Sequence, residues 1–248
     1  MKKLLLISLL VLAGLSYGKI GQALNFDGVD DYVDAGSGTV LDNITTKTIS
    51  LWIYKTGANA ARFWMNKGWV TGTGGGNGWQ WGFRGNGTTF DYRHSWSITN
   101  GSWQGTAQMV ANRWYHVALT YDASSTSNNP RMFINGVEDT VSILNTPSGT
   151  VGNDNANLLV IGAESNAGDN PFTGLIDDVR IYNRAMSASE IRMLYRGNAT
   201  RVGLVGYWPL IGNTSGTFEP DFSGKGNHGT RTLGPYRSAM SPYMRFRR

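Results

Sequence analysis

Cysteine is absent from the 248 residues, and charged side chains make up only 16% of them. Without cysteine the chain can form no disulfide and can perform no thiol chemistry, so its stability must come from core burial or from a bound metal. Histidine is also scarce, with three copies. His94, His116 and His228 share no spacing typical of metal ligands, and His116 falls within a strand pattern that predicts a packed histidine.

Glycine and aromatic residues are abundant instead. The chain has 33 glycines, nine tryptophans, eleven tyrosines and nine phenylalanines, a composition typical of many short strands joined by tight turns. Thr48–Tyr54 is apolar on both faces, which predicts a central strand, and Asn135-Gly136 between apolar runs predicts a hairpin. One short helix is predicted near residues 188–196, because Ser187 and Glu190 form a capping box. We therefore expect an all-β, two-sheet antiparallel sandwich with this single helix.

The first 18 residues have the pattern of an export signal. Lys2 and Lys3 precede an apolar run, and Ser16-Tyr17-Gly18 resembles a cleavage site. The run is shorter than the roughly 20 apolar residues that a membrane span requires; a buried N-terminal helix or strand is the alternative. The prediction is a signal peptide over 1–18, no membrane span, and a mature protein that is secreted or held at the cell surface.

Positive charge is concentrated near the C-terminus. Residues 222–248 contain six basic and no acidic side chains, whereas residues 19–221 contain 14 basic and 17 acidic ones. A nucleic-acid-binding protein would carry its basic residues on the folded domain, so we expect no nucleic acid partner.

Four motifs occur together in one order and spacing: Leu24–Val33 (LNFDGVDDYV), Trp114–Ala118 (WYHVA), Phe133–Gly136 (FING) and Gly174–Ala185 (GLIDDVRIYNRA). In this arrangement the chain resembles the laminin-G-like, concanavalin A-like jelly rolls over roughly residues 21–197. The resemblance implies the sandwich fold. It implies less about function, because this fold hosts lectins, glycanases, adhesins and structural modules.

The segments after the helix depart from that family pattern. Residues 204–210 and 221–230 resemble a stretch that usually precedes the first motif, so the domain is either circularly permuted or followed by an incomplete repeat. A unit of about 45 residues would be too small for a core of its own. We therefore expect one jelly-roll domain over 19–230, in which a permuted strand at 203–211 lies beside the N-terminal strand, followed by a basic aromatic tail at 231–248.

The resemblance also implies a calcium ion between the turn after the first strand and a strand near the end of the domain. Asp27 and Asp177 stand at the matching positions, and Asp31 is the next ligand. Calcium requires six to eight oxygen ligands, so backbone carbonyls or water would complete the set. The alternative is that these aspartates form turns through their own side chains.

Six of the nine tryptophans fall within forty residues, from Trp64 to Trp103. Indole rings stack on the apolar faces of sugars, and arginine, asparagine and aspartate bind sugar hydroxyls, so we expect a glycan ligand. The alternative is that most rings fill the core, where tryptophan is common. We predict that two or three rings are exposed, with Trp69, Trp96, Trp103 and Arg93 as the ligand-binding residues.

Catalysis has little support in the sequence. Glycosidases need a pair of carboxylates, and the Glu-x-Asp-x-x-Glu pattern of glycanases with this fold does not occur. Asp177 and Asp178 are adjacent and would point to opposite faces of a strand. The chain is therefore expected to be no enzyme. Its function is either carbohydrate binding or a structural role in a cell surface, filament or virion, in which the C-terminal segment drives self-association.

Overall fold

The computed structural model describes residues 23–56, 62–69, 77–85, 87–155, 157–165, 167–211 and 217–232. These residues form sixteen strands in two antiparallel sheets, one α-helix and a 3-10 turn at Thr39–Leu41. The all-β sandwich with a single short helix is thus confirmed. In chain order the elements are β1 (Leu24–Asp27), β2 (Tyr32–Asp34), β3 (Thr46–Lys55), β4 (Phe63–Lys67), β5 (Trp79–Arg84), β6 (Thr89–His94), β7 (Gly101–Gly105), β8 (Arg113–Asp122), β9 (Arg131–Ile134), β10 (Val137–Asp139), β11 (Val141–Asn145), β12 (Leu159–Ile161), β13 (Thr173–Tyr182), α1 (Ala188–Tyr195), β14 (Leu204–Trp208), β15 (Phe218–Glu219) and β16 (Gly229–Thr232).

The seven-stranded sheet has the order β1-β13-β3-β8-β9-β10, with β14 also paired to β13. β1 covers the first half of one edge of β13, from Thr173 to Ile176, and β14 covers the second half, from Val179 to Tyr182. The strand predicted within 203–211 is therefore present as β14, but it pairs with β13 and not with the N-terminal strand. Both short strands are needed to cover one long edge.

The nine-stranded sheet has the order β11-β7-β6-β5-β4-β12-β2-β16-β15. Its last three strands join the N-terminal part of the chain to the C-terminal part, because Arg231 of β16 pairs with Val33 of β2. Arg231 is buried and forms an ion pair with Glu219 at 3.3 Å. Residues 231 and 232 thus belong to the sheet and not to the tail.

Between the sheets lies one large hydrophobic core. The inward residues of β3 are Ile49, Leu51 and Ile53, as the alternating pattern predicts, and they share the core with Trp79 and Trp81 of β5. Because side chains alternate across a strand, the intervening residues of β5 face away from the core on the other side of the nine-stranded sheet.

Helix α1 covers part of the outer surface of the seven-stranded sheet. Ser187 caps it through the predicted capping box with Glu190, and Ile191 and Leu194 pack into a second apolar cluster with Phe133. The predicted hairpin joins β9 to β10 through Asn135 and Gly136, whose φ angles are 51° and 75°. Glycine tolerates that conformation without the strain that other residues incur.

Two predictions concern residues outside the described ranges, namely the signal peptide over 1–18 and the tail from residue 233 onward. Within the described ranges, no helix combines the length and the apolar character needed to cross a membrane.

Candidate functional site

The three tryptophans predicted to be exposed are all buried. Trp69 is 6% exposed, Trp96 is 7% exposed and Trp103 is fully buried. The expectation of an exposed tryptophan strip was therefore wrong for these residues. For Trp96 and Trp103 the reason is the width of the core, since the nine-stranded sheet offers inward positions on many strands and can bury far more rings than the prediction assumed.

Trp96 and Trp103 belong to this core and not to a surface site. The Trp103 ring stacks on Tyr92 with centroids 6.1 Å apart, and its Nε1 donates to Asn129 Oδ1 at 2.7 Å. Trp96 packs in the same cluster, with its ring 6.4 Å from that of His94. Neither indole is in a position to meet a ligand at the surface.

The other side of the nine-stranded sheet, which we call the outer face, carries polar side chains that are mostly buried: Gln80 is 0% exposed, Asn66 2% and Ser102 4%. The registers of neighbouring strands align one residue from each strand into a row that crosses the sheet. Adjacent strands are about 4.8 Å apart, so six strands offer a path of about 24 Å. In order from β7 to β2, this transverse row is Ser102, Arg93, Gln80, Asn66, Val160 and Asp34.

Gln80 is the meeting point of two predicted ligand-binding residues. Its amide orientation follows from the neighbouring donors, and its Oε1 then accepts from Trp69 Nε1 and from Arg93 Nη1, each at 3.1 Å. Asn66 fixes the Trp69 backbone, accepting from its N–H at 3.1 Å and donating to its carbonyl at 2.8 Å. The structure therefore brings Trp69 and Arg93 together on the outer face.

Asp91 lies beside this group, two residues before Arg93 on β6. Its side chain is 1% exposed, and its Oδ2 accepts from Arg93 Nε at 3.0 Å and from Arg84 Nη1 at 3.5 Å. Its Oδ1 is buried and accepts no hydrogen bond from any described residue. Burial raises the pKa of the carboxyl, and the two arginines oppose that shift.

The outer face thus combines donors and acceptors over a short distance. Sugar hydroxyl groups both donate and accept hydrogen bonds, but the amide and the carboxylate of this network are buried, so Arg84 and Arg93, at 41% and 19% exposure, are its members within reach of a ligand. Sequence analysis found Trp69 and Arg93 but missed Gln80, Asn66 and Asp91. The signal was available for Gln80, because it alternates with the inward rings of Trp79 and Trp81 on β5.

A second candidate feature is the turn after β1. One carboxylate oxygen from each of Asp27, Asp30 and Asp31 lies within 4.8 Å of the others. Asp27 Oδ1 also accepts from the Val29 N–H, and Asp31 Oδ2 accepts from the Asp27 N–H, both at 2.8 Å. Turn formation accounts for these two bonds, as the alternative reading expects. Three hard oxygen donors at this distance nevertheless fit a calcium ion, with the remaining ligands to come from carbonyls or water.

Asp177 is not a member of that acidic group. β1 and β13 are antiparallel, with Asp27 opposite Thr173 and Leu24 opposite Ile176, so Asp177 lies four positions along the strand from the level of Asp27. This offset is about 13 Å at the rise of a strand. The predicted set of Asp27, Asp31 and Asp177 therefore does not converge, and Asp30 takes the third place.

Each of the four glutamates is tied into a contact on a different element. Glu138 pairs with Arg131 at 2.6 Å, Glu190 caps α1, Glu219 pairs with Arg231 at 3.3 Å, and Glu164 accepts from Asn170. Burial raises the pKa of Glu219 to about 7, opposed by Arg231. The Glu219–Arg231 pair lies beyond the β2 end of the transverse row, where Arg231 pairs with Val33, and is five strands from Arg93.

Known structures share this architecture. The fold is similar to that of a protein from Bacteroides ovatus ATCC 8483 to which carbohydrate binding is provisionally ascribed, with a TM-score of 0.63 and 20% sequence identity. The match covers 89% of this chain and 62% of the Bacteroides protein, so the chain spans less than two thirds of that relative. The native heptameric SAP-like pentraxin from Limulus polyphemus is similar at a TM-score of 0.52 and 11% identity, over 89% of this chain and 99% of the pentraxin.

No curated protein matches the chain in sequence. The sequence does match a described superfamily over residues 27–192, a range that runs from the turn after β1 into α1. The matched range includes β2 to β13, which contain the transverse row. On this match and the fold, the chain belongs to the concanavalin A-like lectin/glucanases superfamily.

Proposed function

We propose that the chain is a non-catalytic carbohydrate-binding module, secreted or held at a cell surface, that binds a saccharide on the outer face of its nine-stranded sheet. The observation that carries the proposal is the network around Gln80 and Asp91. Trp69 and Arg93 converge on one amide oxygen, while a buried carboxylate oxygen beside them accepts no hydrogen bond from the described residues. A buried acceptor without a donor is costly; the same carboxylate orients the partly exposed guanidinium groups of Arg84 and Arg93, which would contact the ligand.

The role of Trp69 in this proposal is to hold the network. Its ring is too buried to serve as a broad stacking platform, but its indole N–H fixes Gln80 Oε1 from the side opposite Arg93. A ligand would then contact the more exposed parts of the network, above all the two guanidinium groups of Arg84 and Arg93, which are 41% and 19% exposed.

Calcium is the proposed cofactor, bound by Asp27, Asp30 and Asp31. When bound, the ion would supply positive charge that offsets the repulsion of three neighbouring carboxylates. Asp27 and Asp31 also hold the turn through their backbone hydrogen bonds, so these residues would order the loop that leads into β2. In this proposal the ion stabilises the fold and takes no part in a reaction.

The absence of catalysis is proposed because the site residues serve binding. The acidic group in the transverse region is Asp91, and both arginines hold its Oδ2. A glycosidase would need a second carboxyl group about 5–9.5 Å away. Asp34 is the acidic member of the transverse row and lies four strands from Arg93, at about 19 Å.

The test is isothermal titration with a panel of soluble oligosaccharides. We expect binding by the full chain and a loss of at least tenfold in Gln80→Ala, because that change removes the acceptor shared by Trp69 and Arg93. Trp114→Phe is the matched control, since Trp114 is half-buried on the other sheet. Equal affinity in Gln80→Ala and the control would refute the assignment of the outer face.

A second candidate function is a structural role in which the C-terminal segment self-associates. It is favoured by two exposed rings beside the strand from which that segment continues: Phe218 of β15 is 59% exposed and Phe222 is 49% exposed. Residues 233–248 contain four arginines, two tyrosines and one phenylalanine, and arginine and aromatic residues are enriched at protein interfaces.

A further inference from the structure

We infer that the outer face selects an acidic saccharide, with the sugar carboxylate bound between Arg84 and Arg93. This inference rests on the proposed function and names its ligand class. Two guanidinium groups and one carboxylate meet at β5 and β6, so the described side chains at this point carry an excess of one positive charge. A neutral sugar would leave that excess uncompensated.

The surroundings do not cancel the charge. Around the two arginines, the outer-face side chains of the neighbouring strands are uncharged, among them Gln80, Ser102 and Gln104. The next acidic group of the transverse row is Asp34, about 19 Å from Arg93 at the spacing of strands. That separation exceeds the Debye length of about 8 Å at physiological salt, so Asp34 has little effect on the arginines.

The contacts of the two arginines leave donors for a ligand. Arg93 uses Nε on Asp91 and Nη1 on Gln80, and no contact with a described residue uses its Nη2. Arg84 makes two long contacts, each at 3.5 Å, to Asp91 Oδ2 and Ser102 Oγ. Its guanidinium is therefore held loosely, and the planar fork of such a group matches a carboxylate with two parallel hydrogen bonds.

Because Arg84 and Arg93 both contact Asp91, they do not form two independent ion pairs. Both arginines contact the same oxygen, Oδ2, whereas the buried Oδ1 accepts nothing from the described residues. The two guanidinium groups therefore contact one oxygen of a single carboxylate, and neither contacts its second oxygen. The carboxylate of an acidic sugar would compensate the two arginines, whereas Oδ1 is too deeply buried to meet a sugar hydroxyl.

The experiment compares uronic-acid polysaccharides with their carboxyl-reduced forms, which keep the backbone and lose the charge. Polygalacturonate, alginate and hyaluronan are each tested beside their reduced partners, by titration with the full chain. We expect at least one acidic form to bind tenfold or more tightly than its reduced partner, with the difference shrinking as salt is added.

Two substitutions test whether Arg84 and Arg93 cause the preference for the acidic saccharide. Arg84→Gln and Arg93→Gln should each lower affinity for the acidic form by about tenfold, the scale of a charge-assisted hydrogen bond, and should lower affinity for the neutral form less, so that the preference shrinks. Arg192→Gln is the control, because Arg192 is exposed on α1 over the other sheet and its loss changes the net charge equally. If Arg93→Gln unfolds at a lower temperature because Asp91 loses its closest partner, the Arg84→Gln variant still tests the acidic preference, since the Arg84 side chain is 41% exposed.

The outcomes separate the inference from the proposed function. Equal affinity for an acidic form and its reduced partner would overturn the acidic preference and leave saccharide binding in place. A preference that survives both substitutions would also overturn it, because the charge would be read elsewhere. Failure to bind either member of every pair, together with failure to bind any other neutral oligosaccharide, would overturn the proposed function and the inference with it.

Discussion

Arg93 Nε lies 3.0 Å from Oδ2 of Asp91, two residues earlier on the same face of β6. The pair is held between two different environments, because Asp91 is buried at 1% exposure whereas Arg93 retains 19%. The buried Asp91 carboxylate thus orients the Arg93 guanidinium from the interior of the protein. The remaining donors of Arg93 extend toward Gln80 and the surface. Under the proposed function, this relationship would fix the polar groups before a ligand arrives.

Substitutions of Trp69 and Trp103 should differ in their effects on saccharide affinity and on the free energy of unfolding. Trp69→Phe keeps a ring but removes the donor to Gln80, so we expect a loss of roughly tenfold in saccharide affinity and about 1 kcal/mol in stability. Trp103→Phe leaves a void in the core and should cost about 2–4 kcal/mol without changing affinity. Denaturant unfolding and titration of both variants check this. Equal effects of the two substitutions on affinity would contradict the placement of Trp103 in the core.

Local sequence patterns predicted the elements well. The capping box of Ser187 and Glu190 and the Asn135-Gly136 hairpin are decided by a few adjacent residues, and both are confirmed. The same alternation that places Ile49 in the core also places Lys47 there, and burial of this lysine was not predicted. A period-2 pattern therefore predicts buried polar side chains as well as buried apolar ones.

Long-range pairing was harder to predict. The exposure of Trp96 depends on how many strands the sheet contains, and the separation of Asp27 from Asp177 depends on the register of β1 against β13. Neither quantity is encoded in neighbouring residues. Ligand binding by Trp69 and Arg93 stays a prediction, and their convergence on Gln80 arises only from the pairing of β4, β5 and β6.

Calcium should raise the thermal stability of the chain. At a concentration one hundred times its dissociation constant, a ligand that binds only the folded state adds about 2.7 kcal/mol. Asp27→Asn and Asp30→Asn should remove the effect, which differential scanning calorimetry with and without chelator would measure. Asp34→Asn is the control, because Asp34 also caps a turn, at Gly36, but lies outside the acidic group. Identical melting with calcium and with chelator would leave only turn formation for these aspartates.

Lys47 should make stability rise with pH above neutrality. Its Nζ lies in the core, 2.9 Å from His94 Nε2. Burial lowers the pKa of Lys47 to about 7, an effect that Asp154 opposes and Lys67 reinforces. The unfolded chain keeps this proton up to the ordinary pKa of 10.5. Between about pH 7 and pH 9.5 the unfolded state therefore binds more protons, and stability should rise by up to about 1.4 kcal/mol per pH unit.

Urea unfolding across that pH range tests this sign. Lys47→Met should flatten the rise, because the buried position then holds no titrating group. Lys225→Met, at an exposed lysine, should leave the slope unchanged. Parallel curves for the original chain and Lys47→Met would show that the buried amine does not govern the pH dependence.

The C-terminal segment should contribute to self-association if the structural role is correct. The sheet extends through Thr232, so truncation after this residue keeps β16 intact and removes the segment alone. Light scattering should then report a lower oligomeric mass for the truncated chain, and added salt should reproduce part of the change because the segment is basic. Monomers in both forms at every salt concentration would remove the support for this second function.

The most direct measurement of the central claim is the ¹H–¹⁵N spectrum of the indole and guanidinium groups during titration with a bound oligosaccharide. The account predicts that the Nε1 signal of Trp69 and the Nε signal of Arg93 shift with ligand concentration, while those of Trp103 and Trp208 in the core stay fixed. Shifts confined to Trp52 and Trp114 of the seven-stranded sheet, with Trp69 and Arg93 unchanged, would contradict binding on the outer face.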